Sequence, residues 1–493
     1  MNNLIKRIKE ASISKWVKFI VVTILYVLWL IWVGNYWLLL LIPIIFDIYI
    51  TKCIPWGFWK KSKNQSVKKV MEWVDAILFA LVAVYFINIF FFQNYQIPSS
   101  SLEKTLLVGD FLCVGKYNYG ARVPNTPLSF PLAQHTLPVL DIKSYIEWPQ
   151  WPYKRLKGPG TVQRNDIVVF NFPAGDTVAL NQQNVDYYSL SVMAAMGYYR
   201  QQTGKAPYIN EMNYDDAFAL GRNLIHANKG EFGDVVFRPV DRRENYVKRC
   251  VGLPGDTLQV INNDLYINGR KQERPLKMQL NYFVETDGTR ISDENFRKLD
   301  VSVDDQRMAN ANDIEALLQV GFRPDSLGHF APIHKLPLTQ EALNTIKKFS
   351  FVKRVEVEPN YGLTYPLCYR KAWSNDNYGP IWIPKKGQTI QLTKENMPVY
   401  ERVIRNYEGN TLEKKGDSYY INGKLADSYT FKMDYFWMMG DNRHNSADSR
   451  SWGFVPEDHI VGKPLFVWLS LDKDRGLFDG KIRWNRMFTS PKN

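Results

Sequence analysis

Three consecutive serines stand where an apolar segment of the chain gives way to polar sequence. Ser99, Ser100 and Ser101 follow Pro98 in the stretch QNYQIPSSSLEKT. A serine hydroxyl becomes a good nucleophile only when a neighbouring base takes its proton. Because the apolar run before the serines is long enough to cross a bilayer, we expect these hydroxyls just outside the hydrocarbon. The pattern therefore predicts a candidate nucleophile at a membrane surface.

A lysine is the best candidate for the base. The six histidines occur in loop-like sequence without an Asp-paired pattern or a GxSxG turn, so a Ser-His-Asp triad has weak support. Lys248 lies between Val247 and Val251 in YVKRCVGLPGD. To be half neutral near pH 7, its pKa must fall by roughly 3 units from the ordinary value, a shift that burial can supply. The alternative is a solvated lysine on a strand.

A third segment, residues 440–457, is dense in polar side chains although apolar sequence bounds it on both sides. It reads GDNRHNSADSRSWGFVPE and follows FWMM. Polar groups packed between apolar runs usually form a hydrogen-bonded network. A buried neutral amine needs a partner that orients its nitrogen, and the hydroxyl of Ser446 is the candidate. An Asx-rich structural turn is the alternative explanation of this composition.

Taken in this order, the three segments resemble the type I (leader) signal peptidases of bacteria. These are membrane-anchored Ser-Lys proteases with a β-rich catalytic domain outside the inner membrane. The segment RNDIVVF is similar to a further strand of the family, with Asn165 where glycine is usual. Three more positions depart from the family pattern: Ser100 replaces glycine, Leu102 replaces methionine and Lys104 replaces proline.

The resemblance implies a role for each matching residue. Ser101 would be the nucleophile and Lys248 the general base. The hydroxyl of Ser99 and the backbone N–H of Ser101 would form the oxyanion hole. The residues implied to orient the base or to hold its loop are Ser446, Asp448 and Arg450.

The same resemblance implies the substrate. Signal-peptide-bearing preproteins with small residues at positions −1 and −3 would bind extended, along an exposed strand edge. Shallow apolar pockets would take the small side chains. The residues we expect to line them are Tyr95, Ile97, Pro98, Tyr246 and Val247. Neither a metal nor a cofactor is expected, because a side chain serves as the base.

Two other functions fit parts of the sequence. Ser101 and Lys104 spell SxxK, the nucleophile motif of penicillin-binding transpeptidases, but the companion motifs SDN and KTG are absent. That motif also requires a helix where we predict a turn leading into a strand. The second alternative is a non-catalytic extracytoplasmic β domain that only binds exported chains.

A membrane anchor must precede these residues. Residues 1–18 are basic, and residues 19–50 are almost wholly apolar. The apolar stretch is long for one span and short for two, and Gly34-Asn35 near its middle favours a hairpin. The predicted arms are about 17–33 and 36–50. A single long span is the alternative.

The basic loop 51–73 fixes the orientation of the anchor. The positive-inside rule places its lysines in the cytoplasm, and a span over 74–92 then carries the chain outward. The sequence therefore predicts a multi-pass protein of the bacterial inner membrane, with the catalytic domain on the periplasmic or extracytoplasmic side. The lipid bilayer is an expected partner.

The remaining sequence predicts a mainly β fold. Alternating apolar runs with Gly, Asn and Asp between them favour antiparallel sheet. We expect an antiparallel β-rich catalytic domain with helical insertions, anchored by N-terminal transmembrane helices. The predicted parts are the core (93–172, 244–270 and 431–472), an insertion (173–243), a second extracytoplasmic subdomain with helix-like segments (271–430) and a basic tail (473–493).

Charge and cysteine content exclude other classes. The formal net charge is +13, but the basic residues do not cluster beside aromatic platforms, so anionic lipid is a better expected partner than nucleic acid. Four cysteines lack CxxC spacing, which argues against a zinc site or a disulfide scaffold. We expect each to be a small buried hydrophobic residue.

Overall fold

The computed structural model describes residues 2–34, 36–138, 140, 142–183, 185–204, 214–367, 373–476 and 478–491. Asn35 of the predicted hairpin turn and Cys368 lie outside these residues. The helices are α1 Asn2–Lys9, α2 Ile13–Val33, α3 Ile42–Phe46, α4 Gln65–Phe90, α5 Tyr187–Thr203, α6 Tyr214–Ala227, α7 Lys229–Phe232, α8 Asp293–Lys298, α9 Ile314–Gln319, α10 Gln340–Ile346, α11 Met397–Arg402 and α12 Ser449–Trp452.

The strands follow the order of the chain. They are β1 Phe92–Gln96, β2 Asp110–Gly115, β3 Ile167–Asn171, β4 Thr177–Ala179, β5 Val235–Phe237, β6 Asn245–Gly252, β7 Thr257–Ile261, β8 Asp264–Ile267, β9 Arg270–Lys271, β10 Gln279–Thr286, β11 Arg307–Met308, β12 Ile333–Thr339, β13 Val352–Val357, β14 Tyr378–Trp382, β15 Thr389–Gln391, β16 Leu412–Lys415, β17 Ser418–Ile421, β18 Lys424–Leu425, β19 Ser428–Thr430, β20 Tyr435–Met439, β21 Val455–Pro456 and β22 Ile460–Ser470.

Helices α2 and α4 are the two in the described chain that are long and apolar enough to cross a membrane. At 1.5 Å per residue α2 reaches about 31 Å, which matches a hydrocarbon core of about 30 Å. The apolar helical segment Tyr36–Thr51 is shorter, about 24 Å by the same measure. Helix α4 begins before the predicted span, because the Asn64 side chain caps it by accepting from Ser66 N at 2.9 Å.

The segment Tyr36–Thr51 folds back along α2 as an antiparallel hairpin. The Tyr26 hydroxyl donates to the Leu38 carbonyl at 2.7 Å, near the turn. At the opposite end, Arg7 Nη1 donates to the Lys52 carbonyl at 2.7 Å. The basic N-terminus and the basic loop after the hairpin therefore lie on the same side.

The C-terminal ends of α2 and α4 pack against the β-rich part of the protein. Lys154 Nζ donates to the Val33 carbonyl at 2.7 Å. The Trp29 ring packs 5.2 Å from the Phe86 ring. The apolar cluster at this junction contains Val33, Phe90, Ala121, Val123 and Leu156. Both helices thus deliver the chain to one surface of the β domain.

A seven-stranded antiparallel sheet carries the candidate site residues, in the order β1-β2-β22-β3-β6-β20-β21. Strand β1 follows α4 almost directly. Apolar side chains cover both faces of the sheet, since Val168 and Val169 of β3 belong to two different core clusters. A separate sheet, β14-β7-β8-β9, packs on the largest core cluster, which includes Trp437 and Phe454.

The subdomain after β9 is built on a four-stranded sheet, β11-β12-β10-β13. One face carries Tyr282 and Val284, packed with Phe296 of α8. The other face carries Phe283, packed with Leu317 of α9. The sequence predicted helix-like segments here and missed the sheet. Strand β10 is buried on both faces, and the run Tyr282-Phe283-Val284 interrupts its alternating pattern.

The insertion 173–243 is helical, as predicted: α5 and α6 pack together between the paired strands β4 and β5. The tail is docked rather than free of the core, since Arg486 Nη2 donates to Asp110 Oδ2 at 2.6 Å.

Cys113 and Cys250 are buried free thiols, which confirms the prediction for them. Cys53 is exposed, contrary to prediction, because it lies in the loop after the hairpin.

Candidate active site

Lys248 and Ser101 meet inside the β domain. Lys248 Nζ donates to Ser101 Oγ at 2.6 Å. The two residues are 3% and 6% exposed. When the amine is neutral, the hydroxyl can instead donate its proton along the same line to the nitrogen lone pair. The contact therefore has the geometry of a general base and its nucleophile.

The chain after β1 positions the nucleophile. Ile97 is 3% exposed, and its N–H donates to the Asp110 carbonyl at 2.9 Å, which fixes the end of the strand. Ser100–Leu102 then forms one 3-10 turn, and the buried Leu102 anchors it. The N–H groups at the start of such a turn have no acceptor inside it, so the N–H of Ser101 is available to a ligand.

Lys248 lies in the middle of β6, opposite Val168 of β3. Burial lowers the pKa of Lys248 to about 8, and the carboxylates of Asp448 and Asp441 oppose that shift by favouring the ammonium. Roughly a tenth of such an amine is neutral at pH 7. Nζ also lies 5.6 Å from the centre of the Tyr246 ring. The lysine is therefore a usable base near neutral pH.

Asp448 organises the polar loop, the segment of residues 440–457. Its carboxylate accepts Arg450 Nε at 2.9 Å and Nη2 at 2.8 Å, and it also accepts Gly440 N at 3.1 Å. Arg450 Nη2 further donates to the Arg443 carbonyl at 2.6 Å. Burial would raise the pKa of Asp448, but the charge and hydrogen bonds of Arg450 hold it below its usual value.

The polar loop is hydrogen-bonded directly to the nucleophile turn, Ser100–Leu102. Asn442 N donates to the Ser101 carbonyl at 3.1 Å, and Asn442 Nδ2 donates to the Ser100 carbonyl at 3.3 Å. Asn445 Nδ2 donates to Ser100 Oγ at 2.9 Å. The hydroxyl of Ser100 is thus engaged by the loop, whereas that of Ser101 is engaged by the lysine.

Strand β6 has an open edge beside the pair. Asn245–Lys248 pair with β3 on one side. On the other side, β20 pairs with β6 only from Arg249 onward. Strand β1 also lies at the edge of the sheet. Unpaired N–H and C=O groups of this kind accept an extended peptide as an added strand.

Comparison with known proteins identifies the fold around this pair. The family model described as "Signal peptidase, peptidase S26" matches residues 70–313 and 383–469. The chain belongs to this family. The matched segments contain the serine turn, β6 and the polar loop.

Curated members of the signal peptidase family align with most of the chain. Signal peptidase I of Haemophilus influenzae is 22% identical over 435 residues, covering 88% of this chain and 79% of the relative. Signal peptidase I of Buchnera aphidicola subsp. Acyrthosiphon pisum is 22% identical over 430 residues, covering 87% and 83%. That of Rickettsia massiliae is 26% identical over 300 residues, covering 57% and 73%.

Membership of the signal peptidase family makes the chain a serine endopeptidase and removes both alternatives. Lys104, the lysine of the SxxK motif, forms an ion pair instead, because its Nζ lies 3.2 Å from Asp300 Oδ2. Lys104 also has φ 72°, which does not belong to a helix. The transpeptidase interpretation is therefore wrong.

Two of the implied roles concern hydroxyls that make no hydrogen bond among the described residues. Ser446 Oγ is buried without a partner and does not reach Lys248, whose recorded bond goes to Ser101. Ser99 is exposed and extended, with φ −128° and ψ 155°. The orienting role of Ser446 and the oxyanion role of Ser99 stay predictions for this signal peptidase.

The residues expected to line the substrate pockets divide between two faces of the sheet. Tyr95 and Val247 pack on the cluster that contains Ile97. Tyr246 packs on the opposite cluster, with its ring 4.5 Å from that of Phe172. Pro98 is exposed beside the serines. Ile97 is so buried that it contributes packing rather than pocket surface.

Histidines have acidic partners in the structure, although the sequence shows no Asp-paired pattern around them. His444 Nε2 lies 2.9 Å from Asp376 Oδ1, and His459 Nδ1 lies 2.5 Å from Asp458 Oδ1. The His444 pair joins segments distant in sequence, which no local pattern reveals. Among the described residues, neither ring is hydrogen-bonded to Ser101, so these pairs do not alter the choice of base.

Sequence reasoning missed several residues that support the pair. A Cβ on Gly440 would lie 2.3 Å from Ser446 Oγ and 2.6 Å from the Ser101 carbonyl, so this position excludes any side chain. Asn442 and Asn445 were also missed. The density of Asn and Asp beside a glycine was the available signal, since these side chains bond readily to nearby backbone.

Proposed function

We propose that this chain is a membrane-bound serine endopeptidase that removes N-terminal signal peptides from exported preproteins, with Ser101 as nucleophile and Lys248 as general base. The observation that carries the proposal is the buried 2.6 Å contact between Lys248 Nζ and Ser101 Oγ. The curated relatives that support the substrate class are all named signal peptidase I.

The reaction follows from these groups. The neutral amine of Lys248 takes the proton of Ser101, and Oγ attacks the carbonyl carbon of residue −1. The peptide C–N bond then breaks, and the amine of the mature chain leaves with the proton held by Lys248. Water attacks the resulting ester and gives one proton to Lys248, and Lys248 passes that proton to Ser101 Oγ as the signal peptide is released.

The negative charge formed in both steps needs donors on the opposite side of the carbonyl. The hydroxyl of Ser99 and the N–H of Ser101 are our candidates, and one donor of this kind is worth roughly 3–4 kcal/mol. Small residues at −1 and −3 would lie along the open edge of β6, beside Tyr95 and Val247. We further propose that the β domain is extracytoplasmic, because the lysines of loop 51–73 favour the cytoplasm.

The experiment is cleavage of a preprotein by the purified full-length chain in lipid vesicles, followed by sequencing of the new N-terminus. Ser101→Ala and Lys248→Ala should each lower the rate at least 10³-fold, on the order of a lost catalytic nucleophile or base. Lys104→Ala is the matched control lysine and should retain most activity. Normal turnover by Ser101→Ala would refute the proposal, and an inactive Lys104→Ala would refute the choice of base.

A further inference from the structure

A polar cleft of about 350 Å³ opens beside the nucleophile turn, between the polar loop and the four-stranded sheet of the second subdomain. Its walls come from β10–β13 and their connections on one side and from the loop on the other. Its lining includes Asn281, Arg307, Lys335, Glu358, Tyr361 and Asn445.

The cleft is linked to the nucleophile turn by a hydrogen bond. Asn445, one of its lining residues, donates to the hydroxyl of Ser100, next to the nucleophile. His444 joins the loop to the subdomain, because its Nδ1 accepts Asn281 N at 3.2 Å. A peptide held at Ser101 therefore needs only a few residues to enter the cleft.

Among the described residues, none from α2 or α4 lines the cleft. A different cavity, lined by Tyr85 and Asn88 of α4 and by Tyr95 and Asn245, occupies the junction with the anchor. The apolar part of a signal peptide lies in the bilayer, so residues before the scissile bond approach from that junction. Residues after the scissile bond must leave on the opposite side, where the subdomain stands.

The charges of the cleft are unequally satisfied. Lys335 Nζ pairs with Asp313 at 3.0 Å and with Glu358 at 2.5 Å, and Asn281 Nδ2 also donates to Glu358 at 2.8 Å. Arg307 is exposed, and its Nε donates to the Asp304 carbonyl at 3.0 Å. Asp305 also lines the cleft, and its carboxylate accepts the Ser302 hydroxyl at 2.7 Å. Within the described residues, Arg307 has no carboxylate at ion-pair distance, so its charge is available to a ligand.

We propose that this cleft binds the first residues of the mature chain, and that Arg307 favours an acidic side chain among them. The exposed ring of Tyr361, on the same wall, offers a flat surface for the extended peptide. The inference rests on the proposed function, because it assigns the part of the preprotein that follows the scissile bond. It also gives the subdomain, much of which lies outside the segments matched by the family model, a role in substrate choice.

The test compares two preproteins that are identical up to residue +2 and carry either aspartates or lysines at +3 to +6. The readout is the ratio of their kcat/KM values within one enzyme, so a partial folding defect cancels. We expect the wild-type ratio to favour aspartate by about threefold, the size of an exposed ion pair. Arg307→Glu should invert the ratio, and Arg307→Gln should bring it close to one.

Arg270→Glu is the matched control, because Arg270 is exposed on β9 and does not line the cleft; it should leave the ratio unchanged. Equal ratios in the wild type and in Arg307→Glu would overturn the inference. Loss of all activity in both Arg307 variants would also overturn it, since the arginine would then be structural. A short substrate that ends at residue +2 distinguishes failure of this inference from failure of the proposed function. If the wild type cleaves neither this substrate nor the two long ones, the proposed function is wrong.

Discussion

Arg249 and Asp441 form a buried two-point ion pair one residue beyond the proposed base. Arg249 Nε donates to Asp441 Oδ1 at 2.8 Å, and Nη2 donates to Oδ2 at 2.7 Å. The hydroxyl of Thr105 donates to the same Oδ2 at 2.7 Å. One carboxylate thus ties together the strand of the base, the chain after the nucleophile and the polar loop.

Removing that carboxylate should destabilise the β domain strongly. Asp441→Ala removes the carboxylate that balances the buried charge of Arg249, which costs about 3–5 kcal/mol. Asp417→Ala breaks an exposed pair with Lys394 and should cost less than about 1 kcal/mol. Denaturant unfolding of the purified variants measures both changes. Similar unfolding midpoints for the two variants would contradict the structural role of Asp441.

Activity should rise with pH through the titration of Lys248. The protonated amine cannot accept the proton of Ser101, and the pKa of Lys248 is about 8 in the folded protein. The value of kcat/KM should therefore increase about tenfold per pH unit well below pH 8 and level off above it. Initial rates between pH 6 and 10 give the profile. A flat profile across this range would remove Lys248 as the titrating base.

Lys248→Met should make the protein more stable while abolishing cleavage. The pKa of Lys248 is about 8 when folded and 10.5 when unfolded, so the unfolded chain binds more protons between these values. The lysine therefore destabilises the folded protein by about 3 kcal/mol below pH 8, a penalty that disappears as the pH rises to 10.5. Methionine removes the penalty at pH 7. An unchanged or lower unfolding free energy at pH 7 would contradict the burial argument.

Gly440→Ala should damage catalysis more than stability. The added Cβ meets Ser446 Oγ and the Ser101 carbonyl at distances that force the nucleophile turn to move. A displacement near 1 Å costs on the order of 10²-fold in rate. Gly197→Ala is the matched control, because its Cβ meets nothing within 4 Å in α5, and alanine should stabilise that helix by about 0.5–1 kcal/mol. Equal activity of the two variants would argue against a tight loop.

A cysteine at Gln65 should react only from the cytoplasm. Gln65 is exposed at the start of α4, next to the basic loop. The exposed Cys53 must first be replaced by serine. A membrane-impermeant maleimide should label Gln65→Cys only after lysis, whereas Leu276→Cys, 76% exposed on the β domain, should react in intact spheroplasts. The reverse result would invert the proposed orientation.

The local arrangement of the site was accessible to sequence reasoning, because short segments carry it. Pro98 and the serines predict a turn, and the apolar neighbours of Lys248 predict a buried strand. Asn165 stands where the family pattern has glycine, and its backbone conformation is one that both residues tolerate. Its φ is 70°, a left-handed value that glycine and asparagine tolerate best, and its carbonyl accepts Arg249 Nη1 at 2.9 Å.

What the sequence hid depends on contacts between distant segments. The pairing of His444 with Asp376, and of Asn445 with Ser100, joins residues 68 and 345 positions apart. The strands of the second subdomain were hidden for another reason. In β10 the apolar run Tyr282-Phe283-Val284 interrupts the alternation, because Phe283 packs on a second apolar cluster, and a run this short does not distinguish a strand from a buried helix.

The junction between the anchor and the β domain sets the height of the active site above the membrane-spanning helices. The Val33 carbonyl accepts Lys154 Nζ, and Phe90 is buried in the same apolar cluster as Val33, so the ends of both helices pack against the β domain. Eleven positions separate Phe90 from Ser101, which limits the height of the hydroxyl above the helix end to about 40 Å. A preprotein whose apolar segment ends at a different depth in the bilayer would therefore present its scissile bond at the wrong height for Ser101.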